Sequence, residues 1–297
     1  MKVRIKSKQL LISITLFCLP FFLGCGDNSP KSDTYTFTDD YGSVVQVPSH
    51  PHRVVSLSPA VTEIIFALHA DSLLVGRTEF CLYPPEASGI ENIGGISNLN
   101  IEKVLSTRPD LIISGSMVPR KVVQQFEKMG VPLVCVIEKQ HFDDLFGNIS
   151  KIGVLTGHAT EADSLNHELK SRLKEIVGVS PVSNSPKTVY YVVGFGSGGN
   201  FTAGGNTFIN DIIEMSGGKN IACDSHGWTF SVEALLQADP DFILIRAEDS
   251  ARFCQTAPYD QLNAVRQGKM IALEDGILDL QVPRNIEVIN RLKTILK

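Results

Sequence analysis

The sequence predicts an α/β protein of two Rossmann-like lobes, each on a mainly parallel sheet, joined by a single long interdomain helix. Three observations carry that expectation. Short apolar runs alternate with amphipathic segments in both halves, a strand-free helical stretch separates the halves, and one phrase of sequence occurs once in each.

The chain opens on Lys2, Arg4, Lys6 and Lys8, followed by a predominantly apolar run from Leu10 to Leu23, free of charge, that ends at Gly24-Cys25. That run is shorter than the ~20 residues a spanning helix needs, so residues 1–24 read as a cleaved export signal. A small residue followed by Cys resembles the bacterial lipobox, although Phe22 stands where that motif usually has Leu. The resemblance implies diacylation of Cys25 and an exported lipoprotein, periplasmic or on the outer surface, held to a bacterial membrane. Residues 25–36, polar at first, form a tether.

The N-terminal lobe is expected over 37–157. Tyr35 to Thr38 and Val44 to Val47 alternate around the turn Asp39 to Gly42, which predicts a β-hairpin. Strands follow at Arg53–Leu57, Leu111–Ser114 and Pro132–Ile137, with helices at Pro59–Leu68 and Arg120–Met129. Ser58 stands at the N-cap position with Pro59 at the first helical position.

Phe142 to Leu155 and Thr160 to Val177 are helical with no strand between them. In the second, Ala162, Leu165, Leu169, Leu173 and Ile176 keep helical spacing, and Thr160 with Asp163 fits a capping box. Residues 158–180 are therefore the linking helix and 181–297 the C-terminal lobe. There, strands are expected at Thr188–Val193, Phe242–Ile245 and Met270–Leu273. Helices are expected at Thr207–Met215, Val232–Gln237, Tyr259–Gln267 and Pro283–Leu296.

The repeated phrase runs from Asn100 to Ile113 and from Ser231 to Leu244. In each copy a Glu (Glu102, Glu233) opens a short helix, and Pro-Asp (Pro109-Asp110, Pro240-Asp241) leads into a strand. Glu in a first turn complements the helix dipole and Pro-Asp punctuates a turn. Recurrence of the whole phrase implies pseudo-symmetric lobes with the two Glu at equivalent places.

Composition narrows the function. The 297 residues are 43% hydrophobic and 20% charged, as in an ordinary globular protein. Formal net charge is -5, and the leader holds four bases and no acid, so the remainder is more acidic still; this argues against nucleic acid as a partner. Of six cysteines, Cys18 lies in the leader and Cys25 is the lipidated residue. Cys81, Cys135, Cys223 and Cys254 remain, with no metal-site spacing and no readable pairing. Cys135 sits in an apolar run, where a buried inert thiol is expected.

Arg53 to Leu68, Val75-Gly76, Tyr83 to Ala87, Thr202 to Asn220 and Val282-Pro-Arg284 together resemble the class III periplasmic binding proteins. That family comprises the BtuF-like cobalamin binders and the ferric-siderophore and haem binders. The resemblance implies two lobes on one long helix, no catalysis and no cofactor. It implies a substrate-binding component of an ABC importer, whose partners are the permease and its ATPase. It also implies that Glu102 and Glu233 dock into arginine pockets of the permease. His69 stands where the family commonly has Gly, leaving the helix end open.

In such a fold the ligand sits between the lobes, on loops following the strands' carboxyl ends. The expected ligand residues are Ser58, Pro59, Arg77, Phe80, Tyr83, Ile96, Trp228 and Arg246, and the aromatics offer flat apolar area to a ring system. Cobalamin or a related corrinoid is the favoured ligand, although Ile96 replaces an aromatic of the cobalamin binders. Arg77 and Arg246 would instead suit an anionic ferric siderophore, and His226 could serve haem as an axial ligand.

Other classes fit less well. Gly194 to Gly199 satisfies G-x-G-x-x-G, but no helix opens there and no acid stands about twenty positions on at a strand, as dinucleotide binding requires. No G-x-S-x-G occurs, and His167-Glu168 lacks the second His of a zinc protease.

Overall fold

The computed structural model describes residues 33–95, 99–116, 118–137, 140–178, 185–273 and 276–297. The signal, Cys25 and most of the tether lie outside them, as does Ile96. Strands β1 (Thr34–Thr38) and β2 (Val44–Pro48) form the antiparallel hairpin, closing at Thr38↔Val44. The Asp39 carboxylate accepts from the N–H groups of Tyr41 and Ser43, adding to the backbone bonds Asp39 N–H to Ser43 and Gly42 N–H to Asp39 that close the turn.

The first lobe runs β3 (Val54–Ser56), α1 (Pro59–Ala67), β4 (Leu74–Arg77), α2 (Ile101–Ser106), β5 (Leu111–Ser114), α3 (Arg120–Lys128), β6 (Leu133–Cys135) and α4 (Asp144–Thr156). The 20-residue helix α5 (Ala159–Gly178) follows. The second lobe runs β7 (Thr188–Tyr191), α6 (Phe208–Met215), β8 (Lys219–Asn220), α7 (Val232–Ala238), β9 (Phe242–Arg246), α8 (Ala247–Gln255), α9 (Asn263–Arg266), β10 (Met270–Leu273) and α10 (Asn285–Ile295). Both four-stranded sheets are parallel, in the orders β4-β3-β5-β6 and β10-β9-β7-β8. Counted within its own lobe, each sheet reads 2-1-3-4. The lobes therefore share one topology, and in each the order reverses between its first and third strands.

Both faces of both sheets are buried, which is why the strands read as continuous apolar runs. Val54, Leu111, Ile113 and Val134 face a central core that continues through α4 and α5 to Val189, Tyr191 and Leu244. Their neighbours Val55, Ile112 and Leu133 face an outer layer in the first lobe, and Tyr190, Ile243 and Ile245 face one in the second.

The repeated phrase is a repeated structure. Asn100 and Ser231 cap α2 and α7 by accepting from the N–H of Lys103 and Ala234. Each helix is followed by a left-handed residue before Pro, Arg108 (φ 49°) and Asp239 (φ 38°). Asp110 then accepts from the N–H groups of His52 and Arg53, and Asp241 from the N–H and hydroxyl of Thr188. The Pro-Asp thus does more than punctuate a turn: in both lobes its carboxylate caps the strand next door.

Four local expectations change. Ser58 occupies the N-cap position of α1 but its hydroxyl makes no capping bond. Thr160 lies inside α5 and so cannot open a capping box. The stretch Tyr259–Gln267 divides into a 3-10 turn (Tyr259–Gln261) and α9. Arg246 ends β9 and α8 begins at once, where a loop was expected. His69 adopts φ 56°; its N–H donates to Phe66 and that of Ala70 to Ile65, a Schellman end formed without Gly.

Candidate functional site

A cavity of about 810 Å³ opens between the lobes, at the carboxyl ends of β4 and β9. The first lobe contributes Pro59 and Glu63 from α1 and Phe80, Leu82 and Tyr83 from the loop after β4. The second contributes Arg246 to Glu248 at the β9–α8 junction and Gly276, Asp279, Leu280 and Arg284 ahead of α10. Phe80 is 60% exposed and Tyr83 42%, so each leaves part of its ring open to the cavity.

Two arginine–carboxylate pairs dominate the polar part. Glu63, only 4% exposed, accepts from Arg284 Nε at 2.8 Å, which ties the first lobe to the second across the cleft floor. Burial raises the Glu63 carboxyl above its ordinary value, and the Arg284 guanidinium offsets only part of that rise. That guanidinium also lies 4.0 Å from the centroid of the Tyr83 ring. On the second lobe, Arg246 donates to Asp279 Oδ2 from Nε at 2.7 Å, and Nη2 lies in ion-pair contact with the same oxygen at 2.7 Å. The hydroxyl of Tyr191, beneath, donates to Asp279 Oδ1 at 2.7 Å and fixes the carboxylate plane. Tyr191 is held well above the ordinary phenol value, first by burial and then by the Asp279 charge. Gly276 is left-handed (φ 59°), and a Cβ there would fall 2.5 Å from Asp279 Oδ2, so the turn that presents Asp279 requires glycine.

Pro59, Phe80, Tyr83 and Arg246 are therefore brought together. Ser58 is buried, and its hydroxyl abuts Gly115 so closely that a Cβ there would lie 2.3 Å from Ser58 Oγ. Arg77 is buried and points away from the cleft: it donates to the carbonyls of Ala87 (2.8 Å), Thr78 (3.0 Å) and Ser88 (3.5 Å), bracing the turn over Pro85–Gly89. Trp228 is exposed and lies beside the β7 loop, where its carbonyl accepts from Thr202 N–H, but it does not line the cavity. His226, on the same exposed loop, does not line it either. Glu63, Asp279 and Arg284 were missed. Glu63 and Arg284 stand inside the family-like segments at Arg53–Leu68 and Val282–Arg284, but their pairing across 221 positions leaves no mark in sequence.

The Gly194–Gly199 loop folds back so that Phe201 pairs with Gly194, and the next helix begins only at Phe208, so the loop does not lead into a helix. Among the described residues there is no cluster of three or more His, Cys, Asp or Glu side chains able to hold a metal. Glu102 and Glu233 are both exposed, each the second residue of its helix. A second hollow of about 710 Å³ lies along α4 and α5, away from the strand ends.

Residues 54–276 match the family model described as periplasmic binding protein. The chain is 26% identical to the uncharacterised ABC transporter substrate-binding lipoprotein YvrC of Bacillus subtilis, over 97% of this chain and 96% of that one. It is 28% identical to a cobalamin-binding protein of Halobacterium salinarum, over 86% and 72%. Among solved structures, the apo periplasmic heme-binding protein RhuT of Roseiflexus sp. RS-1 superimposes with a TM-score of 0.74 at 26% identity, covering 82% of this chain and 97% of that one.

Proposed function

The chain belongs to the periplasmic binding protein family, the extracytoplasmic substrate-binding components of ABC importers, and from that premise we propose that its cargo is cobalamin or a related corrinoid. The observation that carries this choice is the state of the cleft arginines. Both Arg246 and Arg284 already face carboxylates at 2.7–2.8 Å, and Glu248 adds a further acid to the lining. An anionic chelate would meet no uncompensated positive charge there. A large, amide-bearing macrocycle without net charge would find flat contact on Phe80 and Tyr83 and donors on the outward guanidinium N–H groups. The cobalamin-binding relative supports the same choice.

The second reading is a haem or ferric-siderophore carrier of an iron importer, and it rests on the likeness to a heme-binding protein. His226 cannot serve it as an axial ligand from where it stands, outside the cavity lining. Calorimetric titration of the purified protein with cyanocobalamin, haemin and a ferric catecholate decides between them. Saturable binding of cyanocobalamin, tighter than of the two anions, is the expected result; binding of an iron chelate alone would overturn the corrinoid reading.

Two further roles complete the proposal. Cys25 carries the lipid that holds the protein to its membrane. Glu102 and Glu233, at matching places on two lobes of one topology, dock to cationic pockets of the two permease subunits, where charge-assisted bonds set orientation and encounter.

A further inference from the structure

In a cleft whose arginines are matched by carboxylates, those carboxylates decide which ligands are admitted. We propose that Asp279 and Glu63 are the specificity-determining residues of this cleft, masking Arg246 and Arg284 so that anionic chelates are refused; the inference deepens the corrinoid reading and rests on it. Arginine presents a planar fork that takes carboxylates or catecholates in paired hydrogen bonds, so a free arginine in a cleft is an anion site. Here Arg246 places Nε and Nη2 on one oxygen of Asp279, and Arg284 places Nε on Glu63. An incoming anion must displace a carboxylate already at contact distance, one of them under a buried tie between lobes, and does so beside Glu248.

The mask on Arg246 has its own support. Tyr191 Oη holds Asp279 Oδ1, and the N–H of Asp279 donates to the carbonyl of Gly276 at 2.7 Å, so the carboxylate is fixed from below and behind. A neutral ligand is indifferent to the mask: its carbonyls accept from the guanidinium N–H groups that the carboxylates leave over.

The test is a selectivity ratio. Wild type, Asp279→Asn, Asp279→Glu and Glu63→Gln are titrated calorimetrically with haemin, which carries two propionates, and with cyanocobalamin, which carries no net charge. Asn and Gln keep the shape and an acceptor oxygen while removing the charge. The haemin-to-cyanocobalamin affinity ratio should rise about tenfold or more in Asp279→Asn and in Glu63→Gln, shrink again in molar salt, and stay at the wild-type value in Asp279→Glu. An unchanged ratio in either folded neutral variant would overturn the proposal. The wild type supplies an independent check, because its haemin binding should not tighten as salt is lowered; tightening would show an unmasked cation and sink the idea. Failure of the corrinoid reading would show differently, as absent cyanocobalamin binding in the wild type, while the haemin gain of the neutral variants would still be readable by itself.

Discussion

Replacing Arg284 with Met removes the partner of a carboxylate that is almost wholly out of water. Breaking a buried pair from one side costs about 3–5 kcal/mol when the remaining charge cannot escape. Glu63 has an escape, because it can take up a proton. Starting from its ordinary value of 4.5, protonation costs about 1.4 kcal/mol per pH unit above that value, hence about 3.5 kcal/mol at pH 7 and under about 1 kcal/mol at pH 5. Loss of the stacked guanidinium over Tyr83 adds roughly 0.5–1 kcal/mol at either pH. The sign follows from burial: the folded carboxyl titrates above its unfolded value, so its contribution is most favourable in acid and is lost as pH rises through the folded value. Urea unfolding followed by circular dichroism should therefore show Arg284→Met destabilised by about 4 kcal/mol at pH 7 and by about 1–2 kcal/mol at pH 5. Glu63→Gln in the same chain should remove most of that difference. An equal loss at both pH values, or a double variant no more stable than the single one at pH 7, would refute the reasoning.

Three other outcomes follow from the same coordinates. Charge reversal at both Glu102 and Glu233 should leave ligand affinity intact and abolish stimulation of the importer's ATPase; normal transport by the double variant would refute the docking role. His69→Gly should raise the urea midpoint by an amount worth about 1 kcal/mol, since the exposed residue holds φ 56° in a Schellman end; a loss of stability would show that the imidazole has a role in the cap. Burial, helped by the Asp39 charge, pushes the Cys135 thiol up to about 11, and Cys81 is buried against Thr78. Iodoacetamide at pH 8 should therefore spare both in the folded protein and reach the partly exposed Cys223 and Cys254 first, whereas rapid labelling of all four would contradict the packing.

The fold was legible where burial wrote a pattern. Leu111–Ser114 and Met270–Leu273 were read to the residue because both faces of their sheets are covered and the runs are apolar throughout. Strand β8 left no such trace: it is Lys219–Asn220, held by the Asn220 amide on the Ala203 carbonyl and the Asn210 side chain. Helix α8 was equally silent, since Phe253 is its one fully buried residue among polar neighbours. The candidate site was half legible. Phe80 and Tyr83 stood out because large aromatics in a Pro-rich loop have no core to join, and they do line the cavity. Arg77 and Arg246 looked alike, each at a strand's end, and only packing distinguishes them: one turns inward onto carbonyls, the other meets Asp279 at the cleft wall. Their separate fates depend on residues 10 and 33 positions away, beyond any local signal.

The way the lobes are joined constrains how the ligand is chosen. Helix α5 packs against α4 of the first lobe and α10 of the second. Arg172 on α5 pairs with Glu287 on α10, and the Lys293 amine reaches the carbonyls of Ile176 and Val177 near the helix's end. Ahead of α4, the N–H of Phe142 donates to Asp211 on α6, and the carbonyl of His141 accepts from Gln281. The exposed pair among these is worth under about 1 kcal/mol. Their distribution matters more, because they fasten the strut at both ends while Glu63 and Arg284 tie the lobes across the cleft floor. Fastening of this kind opposes wide closure of the lobes around a ligand. That fits the proposal that selection rests on what is already in place on the walls, the two aromatic rings and the two arginines with their counter-charges.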